Sequence, residues 1–160
     1  MGVFTFESEY SSTIPPAKLF NAYVIEANKL FPKVVPHAIK SVEFIEGDGG
    51  AGSILKLHFG EASPEFRYAT HKIELVDKDN LLFNYNVIEG DILRDVVEKI
   101  NFETKVVPSG DGGSIWKSKA TYYTKGDFVL EEEKLKAADN KAKELFKAVQ
   151  EYVLAHLDEF

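Results

Sequence analysis

The sequence has no cysteine. That excludes disulfides, thiolate nucleophiles and cysteine-ligated metals together, and it suits a reducing compartment. It also lacks any cluster of Lys and Arg interleaved with aromatics, and its formal net charge is −7. An electrostatic groove for nucleic acid is therefore not expected. No stretch approaches the roughly 20 apolar residues that a membrane-spanning helix requires, and the start, Met1-Gly2-Val3-Phe4-Thr5-Phe6-Glu7, has neither the charged region nor the long apolar run of a signal peptide. Myristoylation at Gly2 is not expected either, because position 6 is Phe where Ser or Thr is preferred. The four histidines, His37, His58, His71 and His156, show none of the spacings of metal sites, and no G-x-S-x-G elbow exists. No metal or cofactor is expected.

Glycine is present and conspicuous. Residues 46–54 read EGDGGAGSI, in which Gly47, Gly49 and Gly52 spell G-x-G-x-x-G. A phosphate cradle must leave a strand and open a helix, whose free N–H groups hold the anion. Here the following residues alternate, with Leu55, Leu57 and Phe59 on one side and Ile54, Lys56 and His58 on the other, which is the period of a strand. The residue after Gly52 is Ser53 rather than lysine, so the P-loop pattern fails as well. The segment reads as a glycine-rich hairpin turn between two strands.

With 44% apolar and 28% charged residues, the 160-residue chain has the composition of one globular domain. Alternation predicts a strand over 3–11. Polar residues followed by Pro15-Pro16 predict a short helix over roughly 16–24, and a second short helix is expected to end near residue 34. Further strands are expected near 40–46, 53–60, 66–76, 80–88, 95–107 and 113–124, joined by short polar links that favour antiparallel hairpins. From about 130 to 154 the period changes to that of a helix, with Leu135, Ala138, Ala142, Leu145, Val149 and Tyr152 on one face and Phe146 and Val153 on its flank. The first half of that face is small and the second half large. Laid across a concave sheet, such a helix would leave room beside Ala138 and Ala142. The strand faces also mix tyrosines with aliphatics, as in Leu81, Phe83, Tyr85 and Val87, or Trp116, Ser118, Ala120 and Tyr122. Val96, Ile100, Phe102 and Val106 form another face. Such faces suit a packed core and an apolar pocket with a few polar groups alike.

Several blocks in order carry a resemblance along essentially the whole chain: Gly2 to Glu7, Ile14-Pro15-Pro16 with Lys18-Leu19-Phe20, Phe31-Pro32-Lys33, the loop from Glu46 to Gly52, Tyr85 to Asp91, Gly112-Gly113-Ser114, Thr124-Lys125-Gly126-Asp127 and Tyr152 to His156. Together they resemble the plant pathogenesis-related proteins of class ten, the family of the major birch-pollen allergen. The resemblance implies an α+β fold in which a seven-stranded antiparallel sheet wraps around a long C-terminal helix, two short helices close one end, and a large internal cavity remains. It implies a monomeric cytoplasmic protein of plant defence that carries amphipathic small molecules such as flavonoids, cytokinins, sterols or fatty acids, and an allergen by surface resemblance.

Carried over position by position, the cavity lining would be Tyr23, Ile39, Leu57, Phe59, Phe66, Tyr68, Phe83, Tyr85, Val87, Phe102, Ala138, Lys141 and Leu145. Ala142 joins them from the helical face. Trp116, where an aliphatic is more usual, joins as a fluorescent reporter. A position often occupied by lysine is Leu55 here, with Lys56 beside it.

Three other activities associated with the fold are less well matched. Ribonuclease activity is credited in some members to two glutamates and a tyrosine. Glu98 and Tyr152 match, and period puts Glu98 on the face of Val96 and Ile100, but the second glutamate is Gln150, which cannot exchange a proton. Glu98 is expected instead to hydrogen-bond a loop or Tyr152. Condensing enzymes of alkaloid synthesis carry an acid after the tyrosine that here is Tyr85, followed by Asn86; Lys141 and Glu98 are the ionisable groups that could serve a cavity reaction. The gating loops of hormone receptors are not matched by residues 61–65 and 89–93.

Overall fold

A computed structural model describes residues 1–160. Seven strands form one sheet: β1 (Val3–Ser12), β2 (Ile39–Glu46), β3 (Ile54–Phe59), β4 (Tyr68–Asp77), β5 (Leu82–Gly90), β6 (Val97–Pro108) and β7 (Ser114–Thr124). Their order is β1-β7-β6-β5-β4-β3-β2, and every neighbouring pair is antiparallel. β2 to β7 is thus a meander built from consecutive hairpins. β1 lies against β7 at one edge and β2 forms the other, so the chain must cross the end of the sheet between them. Helix α1 (Pro16–Phe20), continued by a wider turn over Asn21–Ile25, and helix α2 (Ala27–Val34) make that crossing. The long helix α3 runs from Glu132 to Ala155, with Glu132 and Glu133 in its first turn, where carboxylates oppose the partial positive charge of the helix start.

The glycine-rich segment joins β2 to β3. Gly47, Gly49 and Gly52 all have positive φ, and a Cβ on Gly47 would lie 2.3 Å from the Ser53 hydroxyl. Its amides are already engaged: Gly49 donates to Ser53 Oγ (3.0 Å), Gly50 to Asp48 Oδ1 (3.2 Å) and Gly52 to the Ile73 carbonyl (2.8 Å). The loop is a turn whose N–H groups hold the loop itself, with no helix behind it.

Register irregularities interrupt β2 against β3, β4 against β5 and β6 against β7. Bulges of this kind bend a strand and increase its twist. In β6 the slip falls between Val97 and Lys99, so Val97 and Ile100 are the buried pair while Glu98 and Lys99 are both exposed. The expectation that Glu98 shares an inward face with Val96 and Ile100 is corrected by that slip.

Buried side chains fall into two separate groups. One gathers α1, α2 and the second half of α3 around Ile14, Leu19, Phe20, Tyr23, Phe146, Val149 and Val153, and includes Tyr10 and Val106 from the sheet. The other lies within the sheet, around Ala69, Val87, Leu93, Val97, Ile100 and Ala120. Phe146 is the knot of the first. Its ring lies 4.7 Å from that of Tyr23, 5.2 Å from Tyr10 and 6.0 Å from Trp116, and its carbonyl accepts the Tyr23 hydroxyl at 2.6 Å. Replacing Phe146 by Ala is expected to cost about 3–5 kcal/mol of stability in urea unfolding. It should also shift Trp116 emission to the red in the folded baseline.

Candidate functional site

The buried stripe of α3 is Leu135, Phe146, Val149 and Val153, with Asp139 half-buried among them. At about 100° per residue, its centre lies about 60° around the helix from the face expected from sequence. Ala142 falls at the middle of the true stripe, seven residues after Leu135 and four before Phe146. Even so, it is exposed. The stripe is therefore not sealed at its middle. Ala138 is exposed at the edge of the stripe, and Leu145 is half-buried against the first core.

Opposite this point the sheet presents aromatic rings in the same condition. Tyr85 stacks on Phe102 (5.0 Å, 17° between planes) and on His71 (4.7 Å, 20°), with Phe83 at 5.1 Å. Register explains the column, since Tyr85 pairs directly with Phe102 and His71 with Val87, two residues along β5. Protein surrounds His71 and Tyr85 deeply enough that burial pushes the Tyr85 phenol up and lowers the His71 imidazole to about 4. Both nevertheless retain accessible surface. Depth together with accessibility sets this aromatic column apart from the two sealed cores.

The floor between α3 and the sheet is Tyr23, buried, with Trp116 at 5.7 Å from it. Val87 is fully packed in the sheet core, and Leu57, inward by its pairing with the buried Ala69, is half-buried. Ile39 and Phe59 pair with each other at the start of β2. Phe59 also borders an open depression of about 530 Å³ shared with Pro36, His37, Lys40, Gly60 and Glu61. Two predicted lining residues sit at the rim. Phe66 lies in the β3–β4 loop with the Arg94 guanidinium 4.9 Å from its ring, and the Lys141 ammonium pairs with Glu65 of the same loop at 3.6 Å. Lys141 thus spans from α3 to the loop and stays exposed.

Tyr68 is a correction. Its ring carries the Lys56 ammonium at 4.5 Å, and its hydroxyl donates to Glu89 at 3.3 Å. Both partners belong to the outer face, because it is Ala69, the next residue, that is buried with the sheet core. Glu98 and Tyr152 are not linked: the Tyr152 hydroxyl lies 3.4 Å from Glu159, and its ring stacks on His156 at 4.1 Å.

Polar groups in the interior were not legible as site residues. Asp139 reaches from α3 to the edge strand β1, where Ser8 donates to its Oδ1 at 2.5 Å and the Tyr10 hydroxyl donates to the same oxygen. Burial and this carboxylate push the Tyr10 phenol up, and the same two causes raise Tyr122, which enters from β7. Alternation could have placed Ser8 and Tyr10 on one face of β1, but nothing in the helical period singles out Asp139.

A seven-stranded antiparallel sheet with a long C-terminal helix laid against it and two short helices at one end defines the helix-grip class of folds. Residues 1–156 match the model of the Pathogenesis-related protein Bet v 1 family, and the chain belongs to that family. It is 52% identical to the major strawberry allergen Fra a 1.04 of Fragaria ananassa over 160 residues, covering 100% of this chain and 99% of the relative. Among solved structures it is similar to Ara h 8.0201, with a TM-score of 0.85 and 40% identity, covering 96% of this chain and 99% of the other. It is also similar to norcoclaurine synthase from Thalictrum flavum in complex with dopamine and hydroxybenzaldehyde, with a TM-score of 0.78, 29% identity, and 97% and 88% covered.

The His71 imidazole makes a pH prediction. Burial lowers its pKa from 6.5 to about 4, so the unfolded chain takes up a proton that the folded chain refuses. Its contribution is fully present above the unfolded value and is lost as pH falls between the two. Stability should drop by about 1 kcal/mol from near pH 7.5 to near pH 5.5 on this account. In urea titrations, His71→Gln should flatten that part of the pH profile.

Proposed function

We propose that the protein is a carrier that holds an amphipathic small molecule in the cavity between α3 and the sheet, as one ligand-binding domain acting as a monomer in the cytoplasm of a plant cell. The observation that carries this reading is the combination of depth and accessibility at Tyr85 and His71, with Ala142 exposed on the inward stripe of α3. Aromatic side chains so placed are normally sealed in a core, and their accessibility supports a cavity beside them. Stacked aromatic faces with few polar groups suit flat, partly polar molecules such as flavonoids and cytokinins, and the apolar remainder suits sterols or fatty acids. Family membership supports a defence-related role, and relatives named as allergens support extending allergenicity to this chain.

A condensing enzyme built on the groups that the sequence offered would need Lys141 and Glu98 inside the cavity. Lys141 is committed to Glu65 at the rim and Glu98 faces solvent. The tyrosine at position 85 is followed by Asn86, whose amide donates to Glu74. The carrier reading is therefore preferred.

Titration with a panel of flavonoids, cytokinins, sterols and an anionic dye, followed by Trp116 fluorescence and checked by calorimetry, tests it. Saturable quenching at one or two sites is expected. Ala142→Phe should abolish it, because that side chain would project into the middle of the void. If no member of the panel binds saturably, the carrier reading is wrong.

A further inference from the structure

Asp139 is the one carboxylate on the inward stripe of α3, and it has no counter-charge. It forms none of the ion pairs of the protein. Ser8 and Tyr10 both donate to Oδ1, while Oδ2 accepts no hydrogen bond from the protein. The carboxylate is half-buried, one helical turn from Ala142 and on the same face. Tyr122 extends its surroundings across the sheet: it pairs with Phe4 of β1 on one side and with Ile100 of β6 on the other, and Ile100 pairs in turn with Val87, two residues along β5 from Tyr85. The register therefore puts the β1 face that holds Asp139, Tyr122 and the aromatic column on the same side of the sheet.

Such a carboxylate is held in place by two hydroxyls but not neutralised by them. A partly buried charge is stabilised by a partner that brings both hydrogen-bond donors and opposite charge. The chain supplies no such partner, and its net charge of −7 makes an anionic partner unfavourable. We propose that the cavity selects ligands carrying a protonated amine, the ammonium seated on Asp139 Oδ2 and an aromatic body directed toward Tyr122 and Tyr85. The inference rests on the carrier reading, because it requires the cavity to admit a ligand.

Three probes of similar shape separate the charge from the ring: tyramine as the cation, 4-propylphenol as the neutral isostere and 3-(4-hydroxyphenyl)propionate as the anion. Each is titrated by calorimetry or NMR into the wild type and Asp139→Asn, with naringenin as an uncharged control. In the wild type, tyramine should bind about tenfold tighter than 4-propylphenol, as expected for a charge-assisted contact, and the propionate more weakly than either. Asp139→Asn should erase the preference for tyramine over 4-propylphenol while naringenin still binds.

Backbone amide shifts of the unmodified protein give a readout that does not depend on how the variant folds. Tyramine should move the amides of Ser8 to Tyr10 and of residues around Asp139, and 4-propylphenol should move the latter less. Naringenin binding without a tyramine preference, or a preference that survives in Asp139→Asn, would overturn the amine proposal and leave the carrier reading intact. If neither naringenin nor any of the three probes binds, both readings fall.

Discussion

Everything in this fold depends on holding a long helix against a curved sheet by apolar packing at one end. The hold is the cluster around Phe146, where rings from β1, the turn after α1, and β7 meet the second half of α3, and where the Tyr23 hydroxyl takes the helix's own carbonyl. A hydroxyl bonded to an i-type carbonyl of a continuous helix fixes depth and rotation together, since the donor must approach from one side. Once rotation is fixed at Phe146, the rest of the stripe follows at helical spacing. Val149 and Val153 go into the same core; Ala142 and Asp139 are carried out over the sheet. The void is the consequence of small or polar residues reaching a place where large apolar ones would be needed to fill it.

The polar bridge from Asp139 to Ser8 and Tyr10 fastens the other half of α3. It replaces the apolar packing missing there, and it does so at the edge strand β1, which has no further strand beyond it. A carboxylate there is costlier than an alkyl group for stability alone, because burial disfavours its charge. Its two hydroxyl donors offset part of that cost. The helix is thus held tightly by apolar contact at one end and by directional polar contact at the other, with the cavity between.

Strands and helices were legible because their periods are clean: β1, β3, β5, β7 and α3 lie within a few residues of where alternation and the 3.6-residue repeat put them. What the period cannot read is a slip. One extra residue in β6 turns Glu98 outward and replaces Val96 by Val97 as the buried neighbour of Ile100. Nor does alternation say which of two adjacent residues points inward; Tyr68 and Ala69 are both acceptable to a sheet interior, and pairing with Leu57 decided for Ala69. On α3, the apolar positions fit a face centred near Ala138 and Leu145 as well as one centred near Ala142. The deciding residue was Asp139, which an apolar count passes over. The resemblance pointed to Tyr85 and Phe102, which the register pairs and stacks on one face of the sheet, but had nothing to say about this chain's own charge.

The rim is built from weaker material than the floor. Glu65 and Lys141 form a solvent-exposed pair, worth at most about 1 kcal/mol. The base of the same loop is held differently. Asp91 accepts the backbone N–H groups of Arg67 and Tyr68 as well as the Arg67 guanidinium. Desolvation opposes the Asp91 charge, but these donors outweigh it and hold its carboxyl below the usual range. The tip of the loop can therefore part from α3 while its base stays clamped to the turn after β5. Arg94, in a left-handed conformation like Asp95 after it, lays its guanidinium over the Phe66 ring of the same loop. In the carrier reading, parting the tip from α3 would break this surface ion pair and none of the contacts within the two cores or the aromatic column.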